Sequence, residues 1–348
     1  MNLGDRSYPI IIQKGLLDKI GGSLKEKYIG EKIAVITDRN VGRLYARRLE
    51  DTLVENGFKV KIITVEPGEK SKSIAVLTDI WNELLDFEIT RGDMIMTLGG
   101  GVAGDLGGFA ASTLLRGIPF VQVPTSLLAQ IDSSIGGKTA INLPKGKNLV
   151  GSFYQPEIVF IDPDLLTTLE SRFFRDGMAE VIKYGCIRNK ELFDYLVGCE
   201  NEEETFENIE RVIHDCCKIK KEIVERDEMD LGERMLLNFG HTMGHALEKY
   251  FGFNKYTHGE AVAVGMYHIT RKTEELGITE KRTSERIKNL LEKYSLPFEM
   301  PEADKDELLK TIGFDKKNKG KNIDIIMLKK IGDSFIKKIP KEEVHKYF

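Results

Sequence analysis

Histidine and cysteine are scarce in this chain, and no long apolar run occurs in it. Its 348 residues include six histidines and four cysteines. The cysteines, Cys186, Cys199, Cys216 and Cys217, form no CxxC pair or other metal-binding spacing, so they read as reduced structural groups. No stretch of about 18 apolar residues offers a membrane span. The start, MNLGDRSYPIII, lacks the basic and apolar regions of a signal peptide, which makes cytoplasmic localisation the expectation. With a formal net charge of −4, the chain has no general pull towards nucleic acid or an anionic membrane. Any anion site must therefore be built locally, and a small-molecule substrate is expected. Internal repeats and low-complexity segments are also absent.

What is present is the composition of an ordinary globular protein, 41% apolar and 30% charged, at a length that favours two domains. In the first half, apolar strands alternate with helical segments. Tyr8 to Gln13 reads as a strand, Ile33 to Thr37 as a buried strand, Val41 to Asn56 as a helix closed by Gly57, and Lys59 to Val65 as another strand. After the PGEKSK loop come a helix over Ser73 to Phe87 and a third buried strand, Asp93 to Leu98. Further strands are expected at Phe120 to Val123 and at IVFID, with a loop-rich stretch from Asp132 to Asn148 between them. This alternation implies an α/β fold built on a parallel sheet. From Pro163 onwards helices dominate, and a β-like pair, IDIIML and SFIKKI, closes the chain. The expected domains are 1–162 and 163–348.

Two segments carry chemistry. Gly99, Gly101 and Gly104 fit GxGxxG between a strand and a helix, where backbone amides and a helix N-terminus bind pyrophosphate. The acidic ribose ligand usual about 20 residues later is missing, and Asp38, ending an earlier strand, is the better candidate, which implies a variant strand order. The bland reading is that the glycines only let a helix approach the sheet. The second segment is NFGHTMGHALE, Asn238 to Glu248, which sets His241 and His245 one helical turn apart with His258 further on. Two imidazoles at that spacing can converge on one ion, with a carboxylate from elsewhere completing an open catalytic site. A dinucleotide and a divalent ion together suit oxidation of an alcohol, and the many candidate cations suit an anionic substrate.

The segments PGEKSK, GGGVAGDLGGFAASTLLRG, VPTSLLAQIDSSIGGKTAINLPKGKNLVGSFYQP, GMAEVIKYG, RMLLNFGHTMGHALE and HGEAVAVGM resemble the 3-dehydroquinate synthase family in order and spacing, end to end. The resemblance implies a Rossmann-like N-terminal domain that binds NAD and an α-helical C-terminal domain that carries a divalent metal, zinc or cobalt. The implied reaction takes 3-deoxy-D-arabino-heptulosonate 7-phosphate to 3-dehydroquinate and phosphate. Its steps are transient oxidation by NAD, phosphate elimination, reduction, ring opening and intramolecular aldol closure. A homodimer is also implied.

By position, the resemblance implies the metal ligands Glu180, His241 and His258, which moves His245 from the metal to the substrate. NAD contacts would fall on Asp38, Asn40, Glu69, Lys72, Gly101, Val102, Asp105, Thr125, Ser126, Lys138, Lys147, Thr168 and Leu169. Substrate contacts would fall on Arg116, Asp132, Lys138, Asn148, Lys183, Lys220, Arg234, Asn238, His245 and one of Lys316 and Lys317. Phe173 departs from the family pattern, which often has Glu there. A sister sugar-phosphate cyclase shares the NAD and metal parts, and a metal-dependent polyol dehydrogenase shares the two-domain plan.

Overall fold

The computed structural model describes residues 1–28, 30–304, 307–308, 311–312 and 322–348. Lys316 and Lys317 lie outside the described residues. The chain divides into two compact units, Met1–Leu169 and Glu170–Phe348.

The first unit is a sheet of six parallel strands, β1 (Ile10–Ile12), β2 (Lys32–Asp38), β3 (Lys59–Val65), β4 (Met94–Gly99), β5 (Phe120–Pro124) and β8 (Ile158–Ile161). Their order is β1-β8-β5-β4-β2-β3. Alternation along the strands divides the core between two faces. Ile33, Val35, Met94 and Met96 join Ile20 and Leu24 of α1 (Ile20–Lys25) and Leu49 and Leu53 of α3 (Arg47–Glu55), which follows the single turn α2 (Arg39–Val41). Ala34, Ile36 and Ile95 join Leu77 and Leu84 of α4 (Ile74–Asp86) and Leu106 and Ala110 of α5 (Gly101–Thr113). Both faces are thus covered, which explains strands that read as continuous apolar runs. Each fully buried Ile or Leu contributes roughly 1.5–3 kcal/mol.

The direction of winding reverses between β2 and β4, because β3 lies on one side of β2 and the later strands on the other. In open parallel sheets, ligands bind beyond the carboxyl ends of the strands at such a reversal. Asp38 and Gly99 end those two strands. One expectation fails here. Asp132 to Asn148 is not merely loop, because β6 (Lys138–Leu143) and β7 (Gly146–Phe153) form an antiparallel hairpin. Leu143, Leu149, Val150 and Phe153 remain exposed on it, so the alternation that marks a half-buried strand never develops in the sequence. The 3-10 turns Pro163–Thr168, placed beyond the boundary by the sequence, belong to the first unit, where Tyr45 Oη lies 3.2 Å from the Leu165 carbonyl oxygen and 2.5 Å from Thr168 Oγ1.

The second unit is helical, with α6 (Ser171–Ile187), α7 (Lys190–Gly198), α8 (Glu202–Glu207), α9 (Ile209–Arg226), α10 (His241–Tyr250), α11 (His258–Glu275) and α12 (Thr283–Lys293). The expected closing pair is an antiparallel hairpin, β9 (Asn322–Lys330) and β10 (Asp333–Pro340). Helix α6 is buried without a break from Asp176 to Ile187, so it is the central helix of this unit. It packs against α7, α9, α11 and the 3-10 turn Glu233–Asn238.

Candidate active site

The glycine loop of the first unit occupies the position its pattern requires. Gly100 caps α5, and the Thr125 amide donates to the Gly99 carbonyl oxygen at 3.0 Å, which brings the end of β5 beside the loop. A side chain at Gly101 would crowd Ser133, while one at Gly100 would rest against Ser126. At Gly104, Gly107 and Gly108 it would strike Gln122, Thr97 and Thr139, so these three serve close packing of the helix on the sheet. Asp38 accepts the Asn40 and Val41 amides at 2.8 and 3.1 Å, capping the following turn. Val102 lies in the first turn of α5, Thr168 and Leu169 end the unit, and Lys147 lies on β7.

Lys72 is the hub of a polar cluster in this unit. It is 3% exposed, and its Nζ donates to Asp105 Oδ2 at 2.6 Å and Asn148 Oδ1 at 2.5 Å, with Glu69 Oε1 at 3.7 Å. Burial pulls its pKa down, but the carboxylates of Asp105 and Glu69 outweigh that and hold it above the ordinary lysine value. Asn142, which the sequence reading missed, closes the cluster. Its Nδ2 donates to Glu69 Oε1 at 2.8 Å and its Oδ1 accepts the Asn148 amide at 2.8 Å. Asn148 sits at φ 53 and Arg116 at φ 67, a left-handed conformation that ordinary residues adopt at some cost in strain. Asp132 lies in a π-helical turn, Ala129–Ser133, and Lys138 opens β6.

In the second unit, ligand atoms of Glu180, His241 and His258 lie within 4.8 Å of one another. Glu180 Oε1 is 3.5 Å from His241 Nε2 and 3.6 Å from His258 Nε2. Glu180 is fully buried, and although the Lys183 ammonium lies against Oε2, neither carboxylate oxygen accepts a hydrogen bond. Lys183 compensates the charge at Oε2, which leaves Oε1, turned to the two imidazoles, as the oxygen placed to meet a further cation. Two imidazole nitrogens and one carboxylate oxygen are a donor set for zinc or a similar ion, so the residues fit a divalent metal. The expectation that His241 and His245 converge as a pair on one ion is not met, since no group of possible ligands among the described residues contains both. Their rings stand 5.5 Å apart, centre to centre.

Second contacts prepare the two histidines differently. His241 Nδ1 lies 3.0 Å from the Phe239 carbonyl oxygen, which can only accept, so Nε2 keeps its lone pair towards Glu180. Burial is the main influence lowering the pKa of His241, helped by Lys183, His258 and His245. For His258 burial also acts downwards, but Glu180 and Glu248 outweigh it and raise the pKa well above the ordinary value. Lys183, Lys220 and Arg234 are 1%, 4% and 2% exposed, a concentration of buried cations on elements packed against or within α6. The Arg234 guanidinium donates through Nη1 to the Glu228 carbonyl oxygen at 2.6 Å, and Asn238 Nδ2 donates to the Met235 carbonyl oxygen at 3.0 Å.

Glycines and one aspartate set the helix spacing. A side chain at Gly259 would collide with the backbone of Asp176, and one at Gly265 with that of Gly240. Asp176, one turn before Glu180, accepts the Gly259 amide at the start of α11, so it ties the helix of one ligand to the helix of another. Burial keeps its pKa above the usual carboxylate value. On the far side of that helix start, Arg172 forms a two-point pair with Glu260 at 2.8 and 2.8 Å, and Glu260 also completes a capping box with Thr257. Phe173, in the first turn of α6, is 47% exposed and takes no part.

Comparison with known proteins identifies the family. A family described as "3-dehydroquinate synthase N-terminal" matches residues 62–176, and "3-dehydroquinate synthase C-terminal" matches residues 177–318. The 3-dehydroquinate synthase of Clostridium beijerinckii is 56% identical over 338 residues, covering 97% of each chain. Among solved structures, 2-epi-5-epi-valiolone synthase from Streptomyces hygroscopicus with NAD+ and Zn2+ bound superposes with a TM-score of 0.88 at 24% identity, over 97% of this chain and 95% of that one. A 2-deoxy-scyllo-inosose synthase complexed with carbaglucose-6-phosphate, NAD+ and Co2+ gives 0.85 at 24% identity, over 97% and 96%. At that identity the two structures speak for the fold, while the relative and the family matches speak for the lineage: the chain belongs to the 3-dehydroquinate synthase family.

Proposed function

We propose that the chain converts 3-deoxy-D-arabino-heptulosonate 7-phosphate to 3-dehydroquinate and phosphate, using NAD and a divalent ion, zinc or cobalt. The observation that carries this is the buried Glu180 facing His241 and His258, in a chain 56% identical to a 3-dehydroquinate synthase. When bound, the ion would lower the pKa of a substrate hydroxyl and the nicotinamide would accept and later return its hydride, so the redox balance over a turnover is zero.

The chain's own residues supply holding, orientation and charge. Glu180, His241 and His258 would hold the ion through a carboxylate oxygen and two Nε2 atoms. Asp38 and the Gly99–Gly101 loop would receive NAD, supported by their position at the sheet's reversal, with Asn40, Glu69, Val102, Asp105, Thr125, Ser126, Lys147, Thr168 and Leu169 as further contacts. Lys72 can only donate, so Asn148 turns its oxygen to it, which would orient the carboxamide of this candidate substrate contact. Arg116 and Lys138 are suited to the phosphate, Lys138 also to NAD, and Asp132 and Asn238 to hydroxyls. Lys183, Lys220 and Arg234 are suited to the carboxylate, and His245 to handling a proton at its imidazole.

The test is phosphate release from the heptulosonate phosphate. We expect release only with NAD and metal present, and no net gain in NADH absorbance. Net NADH accumulation would mean a dehydrogenase, and no release from this substrate would reject the assignment. The finer reading is a cytoplasmic homodimer, to be checked by sedimentation. No described helix is long and apolar enough to cross a membrane.

A further inference from the structure

Helix α10 carries three polar residues on one stripe, His241, His245 and Glu248, at positions i, i+4 and i+7. Glu248 is 5% exposed, so its charge is held in a place where a carboxylate is costly without partners. Its Oε2 lies 3.4 Å from Nδ1 of His258, while Nε2 of the same ring lies 3.6 Å from Glu180 Oε1. The two ring nitrogens thus face two carboxylates on different helices. A carboxylate accepts and does not donate, so the Glu248 contact requires the hydrogen on Nδ1 and leaves the lone pair on Nε2. His241 gets the same service from a backbone carbonyl. His258 is the first residue of α11, and its side chain is 31% exposed against 11% for His241, so packing restrains it less.

We propose that Glu248 is a positioning residue, which fixes the tautomer and ring orientation of His258 and thereby sets the affinity of the metal centre. This rests on the reading of Glu180, His241 and His258 as the metal ligands. The competing arrangement is specific, because His245, Glu248 and His258 also converge within 4.8 Å and could bind an ion directly.

The experiment compares the intact chain with Glu180→Gln, Glu248→Ala, Glu248→Gln and His245→Ala. Each is stripped of metal, checked for folding by circular dichroism, and titrated with Zn2+ against a chromophoric chelator, so that the readout is affinity and not turnover. We expect Glu248→Ala to weaken Zn2+ binding by about 10- to 100-fold, as loss of an outer hydrogen-bond partner does. Glu248→Gln should recover most of that, because the amide oxygen still accepts from Nδ1. His245→Ala should leave the affinity unchanged. Unchanged affinity in Glu248→Ala, beside a large loss in Glu180→Gln, overturns the inference alone. Losses in Glu248→Gln and His245→Ala as large as that in Glu180→Gln overturn it in favour of direct ligation. Intact affinity in Glu180→Gln overturns the ligand reading and the inference with it. If Glu248→Ala does not fold, nitrogen-15 NMR of the metal-free intact chain at alkaline pH decides. The Nδ1–H form of His258 supports the proposal, and the Nε2–H form rejects it.

Discussion

In the first unit a buried lysine, Lys72, is surrounded by groups that match it, with Asp105, Asn148 and Glu69 at hand and Asn142 tying two of them together. In the second unit a buried glutamate, Glu180, has imidazole nitrogens at 3.5 and 3.6 Å and accepts no hydrogen bond. The first cluster is satisfied by the protein alone, so a nucleotide binding there adds to a finished arrangement. In the second, Lys183 pairs with Oε2 while Oε1 and the two imidazoles face one another across a gap that a cation would fill, so stability and occupancy are linked there. All six histidines also lie in the second unit, which leaves the first with no side chain of ordinary pKa near neutrality.

The contrast is broken most directly at Glu180. Glu180→Gln should fold but lose more than about 100-fold in metal affinity, beyond the range for outer partners, and with it all phosphate release. Metal analysis after dialysis checks this, and full occupancy would erase the distinction between the clusters. Lys72→Met should cost about 2 kcal/mol of stability in urea denaturation, because the charge-assisted hydrogen bond from the buried ammonium to the part-buried Asp105 is lost. A loss below about 1 kcal/mol would mean that water replaces the lysine easily.

Proton competition sharpens the contrast. The proton on His258 is held above its ordinary pKa by Glu180 and Glu248, and metal must displace it. Zn2+ affinity should therefore fall as pH falls, by up to about tenfold per unit below that raised pKa, with the decline already under way above the usual histidine range. Lys72, shifted upwards, stays charged throughout, so NAD affinity should be flat over the same titration. Parallel curves for the two ligands would refute the separation. The smallest effect is expected for Asn142→Ala, about 1 kcal/mol of stability, with a rise in KM for the sugar phosphate through a less constrained Asn148 and little change for NAD.

Much of this was legible in the sequence, for identifiable reasons. Strands β2, β4 and β8 announce themselves because both sheet faces are covered, and the glycine pattern sits where a strand meets a helix. The His241 to His245 spacing finds the metal region but pairs the wrong residues, since an i, i+4 pair shares a face without sharing an ion. Glu180 is more than 60 residues from His241, and nothing local connects them. The hairpin β6–β7 is invisible because exposed apolar residues, Leu149 and Val150 among them, fall on both of its faces and blur the alternation. Asn142 has no signal at all. Glu248 had one, the i+7 position after His241, which only gains meaning once His258 is seen to meet it.

The glycines between α10 and α11 have a consequence for which ion can be held. Gly240 and Gly265 bring backbone against backbone, and Gly244 rests on the main chain at Ala261 and Val262. The spacing of the helices that carry His241 and His258 is therefore set by two main chains in contact, which leaves the aim of each imidazole to its own rotamer and outer partner. With the helices held, selectivity rests on the donors they present: two imidazole nitrogens and one carboxylate oxygen suit zinc or a similar ion and not calcium, which takes about six to eight oxygens.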